Sequence, residues 1–153
     1  KDAELEYGWT IETNSFFPDG HLGLGEVYAA TGRFDLAVLH FKQAVRLSEG
    51  DKDTRKHFLN GLSGLAFSLH SLHRPARDPT LIDRAATVYE RLLKENPESV
   101  EARVDLALIE GRDRGNRPRA EALLAECDAL PVSEVQREAV RRAREVFTER
   151  KPQ

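Results

Sequence analysis

Few side chains in this sequence have the types and spacing that chemistry requires. His70 and His73 are three residues apart, so a single helix would direct both imidazoles to one side. Two imidazoles supply half of a tetrahedral zinc site. No Cys, Asp or Glu on that face completes the set, and Asp78 is the nearest carboxylate. The single cysteine, Cys127, excludes an intrachain disulfide and a cysteine-based zinc cluster. We predict no metal site and no cofactor.

The short motifs of catalysis are also missing. The sequence has no glycine-rich phosphate loop, no nucleophile elbow and no H-E-x-x-H pair. Two groups of arginines could hold a phosphate or an acidic peptide, but neighbouring Glu and Asp residues offset their charge, which favours a solvated surface. The groups are Arg112, Arg114, Arg117 and Arg119, and Arg141, Arg142 and Arg144. We predict that the protein is not an enzyme.

Composition limits the class of protein. The chain of 153 residues is long enough for one ordinary domain, and 23 basic against 26 acidic residues give a net charge of −3. This balance does not suit nucleic-acid binding, which needs a basic face. No apolar run approaches the roughly 20 residues that cross a bilayer. We expect a soluble protein without membrane insertion, in the cytoplasm or the periplasm. The absence of Met predicts a fragment of a longer protein, or alternatively a processed mature chain.

The helices that would position these residues are indicated by a motif in the first third of the chain. Its residues are Leu24, Gly25, Tyr28, Gly32, Phe34, Ala37, Phe41 and Ala44. Gly25 and Ala37 are expected on facing sides of two antiparallel helices, where small residues let the backbones approach. Tyr28 and Phe41 fill the space beside that contact. Gly32 falls where the first helix should end, because glycine tolerates the left-handed conformation of a C-terminal cap.

This motif, L-G-x2-Y-x3-G-x-F-x2-A-x3-F-x2-A, resembles the tetratricopeptide repeat signature, whose period is about 34 residues. Two positions depart from it, the leading aromatic, here His21, and the closing proline, here Glu49. The resemblance implies an all-α protein, a right-handed α-solenoid of antiparallel helix pairs with about seven to eight helices. It also implies a scaffold that holds another polypeptide on a curved surface.

Related patterns extend the array along the chain. Counting 34 residues back from Ala37 and Phe41 reaches Ala3 and Tyr7, so residues 1–17 are predicted to be the second helix of a truncated preceding repeat. The other predicted divisions are a repeat at 18–51, a second at 52–97, a divergent third at 98–131, and a C-terminal capping helix at 132–153.

Two alignments fit the first helix of the second repeat. In one, Leu65, Ala66 and Leu69 replace the Leu, Gly and Tyr of the signature. In the other, Gly64 and Phe67 form the small and aromatic pair. The sequence leaves both open.

The second repeat is also predicted to contain an extended inter-helix loop. Pro75 and Pro79 cannot continue a helix easily, and the spacing is about seven residues too long between 72 and 80. Asp53 and Thr80 are the candidate N-caps of its two helices.

The rest of the array is less regular. Ser99 or Glu98 is expected to open the first helix of the third repeat, with a turn at 112–118 and Cys127 as a small core residue. Ser133 is expected to cap the last helix, which closes the solenoid or begins another repeat. Its apolar stripe consists of Val135, Ala139, Val140, Ala143, Val146 and Phe147.

The resemblance places the partner-binding groove on the first helix of each repeat. By helical spacing, the residues facing it are Leu22, Glu26 and Ala29, then Ser63, Phe67 and His70, then Glu101, Val104, Leu108 and Arg112. They form a mixed lining for a peptide or a helical segment of a protein partner.

Some members of the family hold the C-terminal carboxylate of heat-shock chaperones with Lys, Asn and Arg side chains. At the matching places this sequence has Leu22, Glu26, Gly64, Glu101 and Asp105. Carboxylates there repel a carboxylate ligand, so a chaperone tail is not the expected partner.

Two further functions fit the sequence. One is a regulatory or docking region of a multidomain enzyme, and the other is a self-assembling architectural array. Self-association would use the aromatic group of Tyr7, Trp9, Phe16 and Phe17, whose other interpretation is packing against a preceding helix.

Overall fold

The computed structural model describes residues 2–14, 16–76 and 78–148, and every regular element in these ranges is helical. The eight α-helices are α1 (Asp2–Thr13), α2 (Pro18–Ala30), α3 (Phe34–Ser48), α4 (Arg55–Ala76), α5 (Pro79–Glu95), α6 (Val100–Leu108), α7 (Arg117–Cys127) and α8 (Glu134–Thr148). The predicted all-α class and number of helices are confirmed. Residues 1, 15 and 149–153, which fall in the predicted first and last segments, lie outside the described residues.

The chain forms two compact units, Lys1–Val88 and Tyr89–Gln153. In the first unit α1 packs on α2, α2 on α3 and α3 on α4, and α2 also contacts α4. In the second unit α6 packs on α7, and α8 contacts both. Packing of these helices against their neighbours in sequence is the arrangement of a helical repeat array.

Large side chains that lie over glycines fix α1 on α2. The ring of Tyr7 occupies the place of a side chain on Gly23, with Cδ1 2.5 Å from the position a Cβ would take. One turn further along α1, Ile11 Cγ1 is 2.9 Å from the corresponding position on Gly20. Such contacts require glycine because any Cβ would push the neighbouring helix away.

The contact between α3 and α4 repeats this arrangement. Phe41 lies over Gly64, and Val45 Cγ2 is 2.9 Å from the position of a Cβ on Gly61. Phe41 also contacts α2, where a Cβ on Gly25 would lie 2.7 Å from its Cδ1. The small residue facing the Phe41 ring within the first repeat is therefore Gly25, and a second glycine faces it from the next repeat.

These repeated contacts also favour one alignment of the second repeat. The step of 41 residues that relates the glycines of α2 to those of α4 takes Gly25 to Ala66 and Tyr28 to Leu69. Ala66 and Leu69 are buried, whereas Phe67 is 49 % exposed. Ala66 is thus the counterpart of the signature glycine.

The turn after α2 has the predicted geometry. Gly32 has a φ of +74°, and its N–H donates to the carbonyl of Ala29 (3.1 Å). The N–H of Arg33 donates to the carbonyl of Tyr28 (2.8 Å). This pair of bonds is the Schellman motif, in which glycine takes the left-handed position.

The prediction of an extended inter-helix loop in the second repeat is wrong. α4 continues through Pro75 and ends at Ala76, and α5 begins at Pro79. Proline removes one helical hydrogen bond. Here it lies in the last turn of a helix of 22 residues, in which Phe58, Leu62, Leu65, Ala66 and Leu69 are buried. The additional residues lengthen the helix instead of forming a loop.

The two candidate caps of that repeat are also corrected. Asp51, not Asp53, accepts local hydrogen bonds before α4, from the Asp53 N–H (3.0 Å) and the Thr54 hydroxyl (3.1 Å). Asp78, not Thr80, precedes α5 and accepts from the Thr80 N–H at 2.9 Å. In both places a carboxylate two residues before the predicted cap provides the acceptor for a free N–H group.

The expected turn at 112–118 is shorter, because α6 continues into a π-helical turn at Ile109–Asp113. Glu110, which replaces the signature tyrosine, is buried there. Its carboxylate accepts hydrogen bonds from Arg114 (2.6 Å) and the Asn116 side chain (3.2 Å). Ser99 accepts from the Ala102 N–H and caps α6 as predicted.

Candidate partner-binding surfaces

A pocket of about 240 Å³ lies in the first unit beside α2 and α4, the first helices of two predicted repeats. We call it the α2–α4 pocket. Two residues predicted for the groove, Leu22 and Glu26, line it. Its other lining residues were not predicted from the sequence, and they are Tyr7, Asp19, Gly23, Lys56, His57 and Asn60.

The α2–α4 pocket has a polar wall around an apolar base. Glu26, Lys56 and Asn60 are exposed to solvent, and Leu22 is buried beneath them. The wall therefore offers a carboxylate, an ammonium group and an amide that both donates and accepts hydrogen bonds.

One close polar contact between side chains joins the two helices at this pocket. Nε2 of His57 on α4 lies 2.6 Å from Oδ1 of Asp19 on α2. The sequence did not reveal this pair, because α2 and α4 are adjacent in space but are separated in sequence by all of α3.

The remaining predicted residues of the first unit do not line this pocket. Ser63 is exposed and Ala29 is partly exposed. Phe67 packs edge-on against Phe34, with ring centroids 6.0 Å apart, and keeps about half of its surface free. His70 is buried.

A larger groove, of about 680 Å³, lies in the second unit between α6 and α8. We call it the α6–α8 groove. Val104 and Leu108, both predicted for the partner-binding face, line it from α6. The α8 residues that line it are Glu134, Val135, Glu138, Ala139, Arg142, Ala143 and Val146.

The apolar stripe of α8 is divided between packing and exposure. Val140, Ala143 and Phe147 are buried. Val135 is 80 % exposed and Val146 is 39 % exposed. The stripe is thus wider than the face that α8 buries, and its exposed edge belongs to the groove.

The other two predicted residues of this unit are engaged within the chain. Glu101 accepts a hydrogen bond from the Gln136 side chain (2.7 Å), which ties α6 to α8. The Nε of Arg112 lies 3.1 Å from Oδ1 of Asp113. Neither lines the groove.

The tetratricopeptide repeat family matches residues 1–52 and 81–131, more than half of the chain. The chain belongs to the tetratricopeptide repeat family. Repeats of this family are generally protein–protein interaction modules and typically carry no catalysis. A search of curated proteins found no match. The unmatched segment 53–80 contains all of α4, the lengthened helix of this tetratricopeptide array.

Three residues predicted for the tetratricopeptide groove are less accessible than expected. Leu22, His70 and Val104 are buried. α2 is contacted by α1, α3 and α4, and α6 by α7 and α8. Helical spacing identifies a face of one helix, but neighbouring helices decide how much of that face remains open.

The histidines and the cysteine of this chain do not form a metal or thiol site in the described residues. Within the described ranges, no three His, Cys, Asp or Glu side chains are grouped to hold a metal ion. His73 Nδ1 lies 2.7 Å from the carbonyl oxygen of Asp78. Cys127 is buried as predicted, and burial raises the pKa of its thiol, which disfavours the reactive thiolate.

Most arginines of the two groups of this tetratricopeptide protein form ion pairs within the chain. The pairs are Arg114 with Glu110, Arg117 with Glu121, Arg141 and Arg142 with Glu138, and Arg144 with Asp128. None of the helices that the structure describes has both the length and the apolar character to cross a membrane.

Proposed function

We propose that this chain is a protein-interaction scaffold module whose first helices hold a segment of a protein partner. The observation that carries this proposal is the α2–α4 pocket, where exposed Glu26, Lys56 and Asn60 surround an apolar base. The proposed repeat divisions are 18–51, 52–97 and 98–131, preceded by a half-repeat at 1–17 and followed by a last helix at 132–153.

The chemistry of the pocket suits an extended peptide. A peptide main chain presents N–H and C=O groups in alternation, and the amide of Asn60 has a donor and an acceptor for them. Glu26 and Lys56 are opposite in charge, so the pocket favours a segment with mixed charges over a ligand of one sign.

A free C-terminal carboxylate is a poor occupant of this pocket. Asp19 and Glu26 are both among its lining residues, and either carboxylate would repel another. We therefore propose an internal segment of a partner protein, not a chaperone tail.

In our proposal the other exposed or partly exposed residues of the predicted groove also contact a partner, each within its own unit. In the first unit they are Ala29, Ser63 and Phe67, and in the second unit they are Glu101, Leu108 and Arg112. Phe67 is the strongest of them, because a half-exposed aromatic ring provides a large contact area for a partner.

The experiment is selection of peptides from a display library on the immobilised chain, followed by calorimetry with the selected peptides. We expect Asn60→Ala and Glu26→Lys each to weaken binding at least about tenfold, a loss of about 1.4 kcal/mol. Gln43→Ala, an exposed polar truncation on α3 away from the pocket, is the matched control. Equal affinity of all three variants for every selected peptide would exclude the pocket.

A further inference from the structure

We propose that the α6–α8 groove is a self-association surface, on which α8 of a second copy of this chain lies antiparallel to α8 of the first. This inference goes beyond the proposed function, because it concerns a different unit, a different surface and a different partner. It rests on the exposed apolar edge of α8 and on the order of charges along it.

The apolar edge needs a partner of similar length. Val135 and Val146 are 80 % and 39 % exposed and lie at opposite ends of α8, with exposed Ala139 between them. Covering an exposed apolar surface of this kind lowers the free energy. Ala139 is small, so a second helix can approach α8 closely at its centre.

The charges that line the groove are ordered along the helix. Glu134 and Glu138 lie in the first half of α8, and Arg142 lies in the second half. Two copies in parallel would place carboxylate against carboxylate. Two antiparallel copies would bring Glu138 of each copy to the level of Arg142 of the other. Such a self-complementary face is what a two-fold symmetric dimer requires.

The two apolar ends satisfy the same arrangement. In the register that pairs Val135 with Val146 of the second copy, Glu138 lies opposite residue 143, one residue from Arg142. One residue is about 1.5 Å along a helix, which the long side chains span easily. Within one chain Glu138 already accepts a hydrogen bond from Arg142 (2.8 Å), so the dimer would form an ionic cluster of four side chains.

The interface would be small. α8 has 15 residues and is therefore about 22 Å long, and two adjacent helices are about 20 Å wide. The area that a face of this length and width can bury is at the lower end of the range for specific interfaces. We therefore expect a weak, reversible dimer that appears as the protein is concentrated.

The first test is the mass of the chain in solution, measured by analytical ultracentrifugation over a wide range of concentration. We expect a monomer–dimer equilibrium, and we expect Val135→Glu to raise its dissociation constant at least about tenfold. Circular dichroism should show unchanged helical content, since Val135 is largely exposed. Leu39→Glu, a similar change at an exposed leucine of the first unit, should leave the dimer intact.

The same measurement separates the rival surface at the N-terminal end. If Trp9→Ala abolishes association and Val135→Glu does not, the aromatic residues of the first unit form the interface and the proposal is wrong. A chain that stays monomeric at every concentration also overturns it. Both results leave the peptide-binding test of the α2–α4 pocket unaffected.

The second test determines the orientation of the helices. Val135→Cys and Val146→Cys variants are mixed and oxidised briefly, and cross-linked dimers are separated on a denaturing gel. The antiparallel arrangement predicts cross-links between the two variants, because residue 135 of one copy faces residue 146 of the other. Efficient cross-linking of each variant on its own would show a parallel pair and overturn the proposal. The native chain is the control, because its Cys127 is buried.

Discussion

The ring of Phe41 on α3 occupies the space that any side chain at Gly64 on α4 would need. The same ring lies against Gly25 on α2 and is itself 2 % exposed. One aromatic residue thus packs against glycines from the helix before it and the helix after it. The free energy of this contact depends on both glycines as much as on the ring, because neither α2 nor α4 can approach if a Cβ is present.

Gly64→Ala should therefore destabilise the protein although alanine is the better helix former. Overpacking of a filled contact costs about 1–3 kcal/mol. We expect the free energy of unfolding, measured in urea, to fall by that amount. Gly8→Ala is the matched control, because Gly8 also lies within a helix but has no neighbouring atom within 4 Å of the added methyl group. It should be neutral or stabilising by up to about 1 kcal/mol, and an equal loss in both variants would contradict the role assigned to Gly64.

The histidine pair between α2 and α3 should make stability depend on pH. His40 Nδ1 lies 3.1 Å from His21 Nδ1, so one ring donates the hydrogen bond and the other accepts it. Burial, assisted by the charge of His21, lowers the pKa of His40. The unfolded state then binds the proton more readily than the folded state, so protonation favours unfolding. The contribution of His40 is complete above its ordinary pKa of about 6.5 and is lost as the pH falls below that value.

Urea unfolding at about pH 7.5 and about pH 5.5 measures this loss. His40→Gln keeps a polar side chain of similar length but does not titrate. We expect the variant to lose less stability than the native chain between the two pH values. If the two proteins lose the same amount, another group carries the dependence.

Glu110→Ala should destabilise the second unit more than removal of an exposed carboxylate. The Glu110 side chain is 7 % exposed and accepts hydrogen bonds from Arg114 and Asn116 at the π-helical turn. Loss of a buried charged acceptor leaves its donors unsatisfied and costs about 2 kcal/mol. Glu121→Ala breaks an exposed helical pair with Arg117 and should cost less than about 0.5 kcal/mol. Denaturant unfolding of both variants gives the comparison, and equal losses would show that the Glu110 network contributes little.

The start of α8 should depend on Ser133. Its hydroxyl accepts from the Gln136 N–H (3.3 Å), and its own N–H donates to the Gln136 side chain (2.8 Å). This reciprocal pair is a capping box. Ser133→Ala should lower the free energy of unfolding by about 1 kcal/mol, whereas Ser133→Asp retains an acceptor and should lose little. Thermal unfolding followed by circular dichroism distinguishes the two, and the same melting temperature for both would mean that the cap does not stabilise α8.

The helix pairs could be predicted because their signals are local. The left-handed glycine at Gly32 and the caps at Ser99 and Ser133 each involve residues within one or two turns of each other, and the period of 34 residues is the recurrence of such local patterns. Local hydrogen bonds and local packing decide such features, so the sequence pattern is sufficient. The helix through Pro75 was not predicted, because the local cost of a proline does not show how much buried packing holds the rest of α4.

The candidate surfaces were predicted less well because they depend on pairs of first helices. The contribution of α8 to its groove was not predicted, although the stripe of six apolar residues was visible and only part of it is buried. Lys56 and Asn60 were missed because the pocket joins α2 to residues one turn or more before the expected position on α4. Leu22 lines the α2–α4 pocket, but it is buried because three other helices contact α2.

The unusual length of α4 has a consequence for how this array can vary. α4 has 22 residues against 13 in α2, a difference of about 13 Å along the axis. Gly61 and Gly64 nevertheless repeat the contacts of Gly20 and Gly23. The additional turns are therefore placed at the two ends of α4, while the point where it crosses its neighbour is unchanged. Residues can be inserted at those ends, by evolution or by a protein engineer, without altering the spacing between neighbouring helices.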